Sequence, residues 1–160
     1  MTTENTTLLM AGIAPGSRLA EIADRRADIM ALTQATQEAV LNPREAGGLS
    51  PAERIALACR MARLSGEETL AAHYEKLVPQ ASRRLAEPAF DGQDDSRLAA
   101  LLRHVDLVTQ SPKDATRDDI AALRDAGIAE ADIVRLAELI AFINYQIRVI
   151  AGLRLLGEIA

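Results

Sequence analysis

At 160 residues the chain is long enough for one domain with a sizeable core. It is 49% hydrophobic yet has only two Phe, two Tyr and no Trp, so the core must be Ala, Leu and Ile, a mixture that predicts an all-α fold. A net charge of −5 argues against nucleic acid, and a single cysteine, Cys59, excludes an intramolecular disulfide, a C-x-x-C pair and a cysteine zinc site.

Residues 1–16 read as a tail that ends in a turn at APGS. They carry no basic residues ahead of their short apolar run, so they do not resemble a signal peptide. One helix is expected from Ser17 to about Arg26 and another from Asp28 to Leu41. The breaker NPREAGG (42–48) then divides an N-terminal helical arm, residues 1–48, from a single globular unit, residues 49–160.

The strongest local signal is Ser50-Pro51-Ala52-Glu53, with an N-cap serine, a first-turn proline and a glutamate at the third helical position. The helix it opens places Ile55, Ala58, Cys59 and Ala62 on one apolar stripe. Ser65 and Glu68 repeat the capping arrangement and predict a helix that buries Leu70, Tyr74, Leu77 and Val78 and runs to Pro79 or somewhat beyond. EPAFDGQDD (87–95) is a loop, Ser96 to Thr109 a helix, and SPKDA (111–115) another loop. Thr116 and Asp119 cap a short helix ending at Gly127, and the final helix runs from Glu130 to about Leu156.

That last helix is apolar on nearly all sides, so it is central in its domain or covered by another subunit. Glu138, Asn144, Gln146, Arg148 and Arg154 interrupt it, so no membrane span is expected and a cytoplasmic protein is. Glu138, Asn144, Tyr145 and Arg148 must be paired there, as a polar network at a subunit contact or as the lining of a cavity. Most arginines are interleaved with acids, as on solvated helix faces.

The candidate for chemistry is His73, which titrates near neutral pH and could serve as a general base. Its other reading is a hydrogen-bonded histidine beside the Leu70/Leu77 stripe. Glu53 could supply it with a carboxylate, or could simply close the capping box on Ser50. Glu67 and Glu68 sit in a first turn, where the helix dipole favours acids, unless one of them faces His73. Cys59, in mid-stripe with no basic neighbour on its face, reads as an inert thiol.

Two stretches together resemble the carboxymuconolactone decarboxylase and alkyl hydroperoxidase D superfamily, in its uncharacterised peroxidase-related branch. The first is LSPAERIALACRMARLSGEETLAAHY (49–74). The second is DIAALRDAGIAEADIVRLAELIAFINYQIRVIAGLRLLG (119–157), with an F-x-N-Y-x-x-R pattern ahead of a glycine-leucine. The resemblance implies an oligomeric all-α bundle, joined into a homo-oligomer through the last helix. In the family's peroxidases the site reads C-x-x-C-x-x-x-H, with a glutamate in the preceding helix. Aligned on His73, this chain holds Gly66 and Thr69 at the cysteine positions; aligned on L-S-G, it holds Glu67 and Leu70.

Without a sulfur pair a dithiol peroxidase is not expected. The resemblance then implies a non-catalytic oligomeric binding protein that takes a small organic ligand. The alternative is a cysteine-independent acid–base enzyme, decarboxylase- or isomerase-like, acting on a small organic acid or lactone through His73 with Glu53 or Glu67. No cofactor, metal, nucleic acid or membrane enters either expectation.

Overall fold

A computed structural model of the chain describes residues 5–159, and every regular element among them is helical. The elements are α1 (Thr6–Met10), α2 (Arg18–Asp24), α3 (Ala27–Leu41), α4 (Pro51–Leu64), α5 (Glu68–Glu75), α6 (Ser96–Gln110), α7 (Arg117–Asp125) and α8 (Glu130–Ile159). Two 3-10 segments, Gln80–Ala86 and Pro112–Asp114, link α5 to α6 and α6 to α7. The all-α expectation therefore holds.

The capping box at the start of α4 forms in full: Ser50 Oγ accepts from the Glu53 amide, and the Glu53 carboxylate accepts from the Ser50 amide at 2.8 Å. Thr116 and Asp119 close the second box at the start of α7. α4 is the buried centre. Ala56, Leu57, Ala58, Cys59, Met61 and Ala62 have no exposed surface, and their many small side chains let α5, α6, α8 and the first 3-10 segment approach closely. Ile55, expected on the stripe, is only half-buried.

Two arginines are sealed into this core, unlike the solvated arginines that the interleaved charges suggest. Arg54, 2% exposed, donates to the carbonyls of Leu49, Val40 and Ala46. Arg60, 1% exposed, grips Asp106 with two 2.6 Å bonds and donates to the carbonyls of Glu87, Pro88 and Phe90. Both hold irregular segments whose backbone would otherwise lack partners.

Three local expectations change. Residues 6–10 form α1, capped by Asn5 and tied to α3 by the Gln34 side chain, which accepts from the Thr6 amide; residues 1–4 of the expected tail lie outside the described residues. Ser65 closes α4 instead of opening α5: Gly66 turns the chain at φ +69° and Glu67 takes the N-cap position. α5 ends at Glu75, so the helical phase is lost and Leu77, expected in the core, is 51% exposed.

α8 runs along α1–α4, α6 and α7. It is long and apolar enough to cross a membrane by length and composition, with a mean hydropathy of 1.4 over 18 residues, only 33% of which are buried. Its inward side chains, Leu136, Leu139, Ile143, Gln146 and Ile150, have no exposed surface. Val134, Tyr145, Leu155, Leu156 and Ile159 face outward.

Candidate functional site

His73 stands in the last turn of α5, half-buried, with its ring edge-on to Tyr74 at 5.3 Å. Burial, with a smaller push from the Lys76 ammonium, holds its imidazole below the usual histidine range, so the neutral form prevails at pH 7. Among the described residues no carboxylate bonds to it. Gly66 and Thr69 are exposed, and Leu70 is sealed.

The two acids expected beside His73 are engaged elsewhere. Glu53 serves its capping box and an ion pair with Arg97 at 2.9 Å. Burial alone would raise its carboxyl; the Ser50 and Arg97 hydrogen bonds outweigh that and bring it below the ordinary value. Glu67, 7% exposed, takes a bidentate pair from Arg154 at 2.7 and 2.8 Å, and Arg154 also donates to the Met10 carbonyl. His73, Glu53 and Glu67 are thus each placed in a different local setting.

Cys59 is sealed in α4 and donates weakly to the Ala71 carbonyl, with sulfur and oxygen 3.5 Å apart. Burial pushes its thiol up to about 11, against a partial pull from Arg63. At neutral pH it is a protonated core group.

The polar residues of the last helix divide between two clefts. Glu138 and Tyr145 line a groove of about 580 Å³ between α3 and α8, floored by the buried Phe142 and Val40 and rimmed by the exposed Leu32. The Tyr145 hydroxyl lies 3.1 Å from Thr33 Oγ1. Asn144 and Arg148 line a smaller cleft of about 280 Å³ between α6 and α8, together with His104. Asn144 donates to the Ile140 carbonyl at 3.0 Å, and Arg148 to the Asn144 carbonyl at 2.8 Å.

The buried polar network lies elsewhere on α8, at Gln146, which has no exposed surface. Its Oε1 accepts from the Tyr74 hydroxyl at 2.7 Å, while Nε2 donates to Gln37 Oε1 at 2.6 Å and to Thr7 Oγ1 at 3.2 Å. Gln37 in turn donates to Thr6 Oγ1 at 3.0 Å. Four helices, α1, α3, α5 and α8, meet on this amide. In the sequence Gln146 shows only as an interruption of the apolar run.

His104 was not singled out in the sequence either. It is 8% exposed, and its Nδ1 is sealed without any hydrogen-bond partner. Burial, with a smaller push from Arg103, holds the ring below its usual range, partly offset by Asp119. A histidine set among Leu101, Leu102 and Val105 on a helix was the available signal.

Among the described residues there is no group of three or more His, Cys, Asp or Glu side chains arranged to hold a metal ion. No family model, no curated protein and no solved structure matches the chain.

Proposed function

We propose that the chain is a carboxymuconolactone-decarboxylase-like helical protein without dithiol peroxidase chemistry, acting as a non-catalytic, oligomeric binding protein whose copies join along α8. The observation that carries this reading is the isolation of Cys59: the only thiol is sealed, protonated at neutral pH and without a second sulfur. Peroxide reduction through a dithiol needs a thiolate that can reach the peroxide and a partner that resolves it.

Assembly is supported by the outward apolar residues of α8 and its neighbour α3. Leu32 is 64% exposed, Val134 58%, Leu155 61% and Ile159 77%. Large apolar side chains left exposed on two helices that pack together favour cover by another surface. A second copy offers the same surface to the first, the usual geometry of a twofold dimer. α8 is read as a core and contact helix instead of a membrane span because Arg154 is committed to the buried Glu67. The acid–base alternative at His73 requires a carboxylate in reach, and the two acids proposed for it have other partners.

Two measurements on the same preparation test the reading. Sedimentation velocity is expected to show a dimer or larger, and a Leu32→Glu/Leu155→Glu double variant to shift it toward monomer with its helical content kept. Hydroperoxide consumption with a dithiol donor is expected to be no faster than without protein. A monomer at all concentrations, or dithiol-dependent turnover that vanishes in Cys59→Ser, overturns it.

A further inference from the structure

The cleft between α6 and α8 contains a group whose presence core packing does not explain. His104 is nine-tenths buried, and neither of its ring nitrogens bonds to the protein. A leucine at this position would pack beside Val108 and Ile140 in the cleft wall without stranding a polar atom. Neutral imidazole carries one donor and one acceptor. A proton on the sealed Nδ1 would bury an unpaired N–H, so the favoured tautomer carries it on Nε2, the nitrogen left to face the cleft.

Two other polar groups converge on the same space. Arg148 spends one Nη1–H on the Asn144 carbonyl and has no acidic partner among the described residues, which leaves most of its donor fork open. The Asn144 side chain stands one turn before it on α8, also in the lining, with one Nδ2–H given to the Ile140 carbonyl and the second left to donate. The remaining wall is apolar, made by Val108, Pro112, Ile140 and Ala141.

We propose that this cleft binds a small monocarboxylate with a short apolar tail. The carboxylate sits between the Arg148 guanidinium, the Asn144 amide and the Nε2–H of His104, and the tail lies on Val108, Ile140 and Ala141. The proposal rests on the reading of the chain as a binding protein and supplies the ligand class and the place. One cation faces the cleft in a chain of net charge −5, which suits a single negative charge better than a phosphate or a polyacid. A space of about 280 Å³ lies just below the usual range of small-molecule sites and limits the tail to a few carbons or one ring.

The chain has two histidines, His73 on α5 and His104 in the cleft, so proton–carbon NMR of their rings reads the site with an internal control. The probes are isobutyrate and benzoate, each paired with its neutral amide, isobutyramide and benzamide. The carboxylates are expected to displace the His104 signals saturably while those of His73 stay in place, and the amides to do far less. Arg148→Gln, at an exposed position, is expected to keep the melting temperature and weaken binding at least about tenfold, the loss of one charge-assisted contact. The idea fails if His104 is undisturbed well beyond millimolar carboxylate, if the amides bind as well, or if a folded Arg148→Gln binds as tightly as the parent. Assembly is read separately by sedimentation. A monomer that still binds carboxylate keeps this site and sinks the assembly; an oligomer indifferent to carboxylate does the reverse.

Discussion

Replacing Gln146 by leucine removes the amide on which four helices converge while nearly conserving volume. Tyr74 then loses the acceptor for its hydroxyl and Gln37 the donor to its Oε1, and Thr7 Oγ1 loses a donor as well. Tyr74 is 0% exposed, Thr7 1% and Gln37 7%, so water cannot substitute without opening the core. A stranded buried polar group costs about 1–3 kcal/mol, and a better-buried apolar side chain returns part of that, which leaves a net loss of roughly 2–4 kcal/mol. Tyr74→Phe alone strands only Gln146 Oε1 and is expected to cost about 1–2 kcal/mol. The double variant no longer has a homeless hydroxyl, so it is expected to lose at least ~1 kcal/mol less than the two single losses together. Urea unfolding followed by far-ultraviolet circular dichroism, at one fixed protein concentration, measures all four corners of the cycle. A Gln146→Leu protein within about 0.5 kcal/mol of the parent, or strict additivity, would refute the claim that this amide ties the helices together.

The Arg154–Glu67 pair is expected to be asymmetric. Arg154→Met leaves a nearly buried carboxylate unpaired and should cost about 2–3 kcal/mol in the same assay, whereas Glu67→Gln leaves a half-exposed guanidinium that water can reach and should cost about half as much; equal losses would contradict the assigned burial. Gly92, at φ +94°, faces the backbone of Ala99, where an added Cβ would lie 2.7 Å from the Ala99 Cα, while Gly66, at φ +69°, has open space around it. Gly92→Ala should therefore lower the melting temperature clearly more than Gly66→Ala, whose cost is the left-handed backbone alone, about 1 kcal/mol; the reverse order would be fatal. His73 and His104 both have folded pKa values below the unfolded ~6.5, so the native state binds fewer protons than the unfolded chain. Their contribution is fully present above about pH 6.5 and declines as pH falls through the folded values, so the urea midpoint should drop from about pH 7 to pH 5, and an unchanged or rising midpoint would exclude this.

Signals that act within one turn of chain were legible in the sequence. The Ser50–Glu53 and Thr116–Asp119 boxes and the start of α8 at Glu130 needed only local spacing. Ser65–Glu68 shows the limit of that logic: the same spacing fits a serine that ends one helix, and the glycine that follows decides the matter by turning left-handed. Leu77 followed the period of α5 but lies past its end. α1 is too short for periodicity to reveal it, and it depends on partners such as Gln34 that lie 28 residues away. The candidate site was legible only as a set of residue types. Glu53 and Glu67 could be ranked near His73 along the chain, but Arg97 and Arg154, which claim them, are 44 and 87 residues away. Arg54 and Arg60 were invisible for a related reason. Most of their partners are main-chain carbonyls, which every residue owns and which therefore leave no trace in composition.

Arg60 also changes what residues 87–95 are. Composition marks that connection as a spacer, the sort of place where a chain is commonly cut, lengthened or rejoined. Yet one guanidinium anchored in α4 clamps three of its carbonyls and Asp106 together. Lysine has neither the flat fork nor the number of protons to hold four directions at once. The segment behaves as a bracket bolted from within, and an engineer seeking somewhere to graft a tag or a new terminus would find more tolerance at the exposed pair Arg44 and Glu45, just ahead of the Ala46 carbonyl that Arg54 holds, than here.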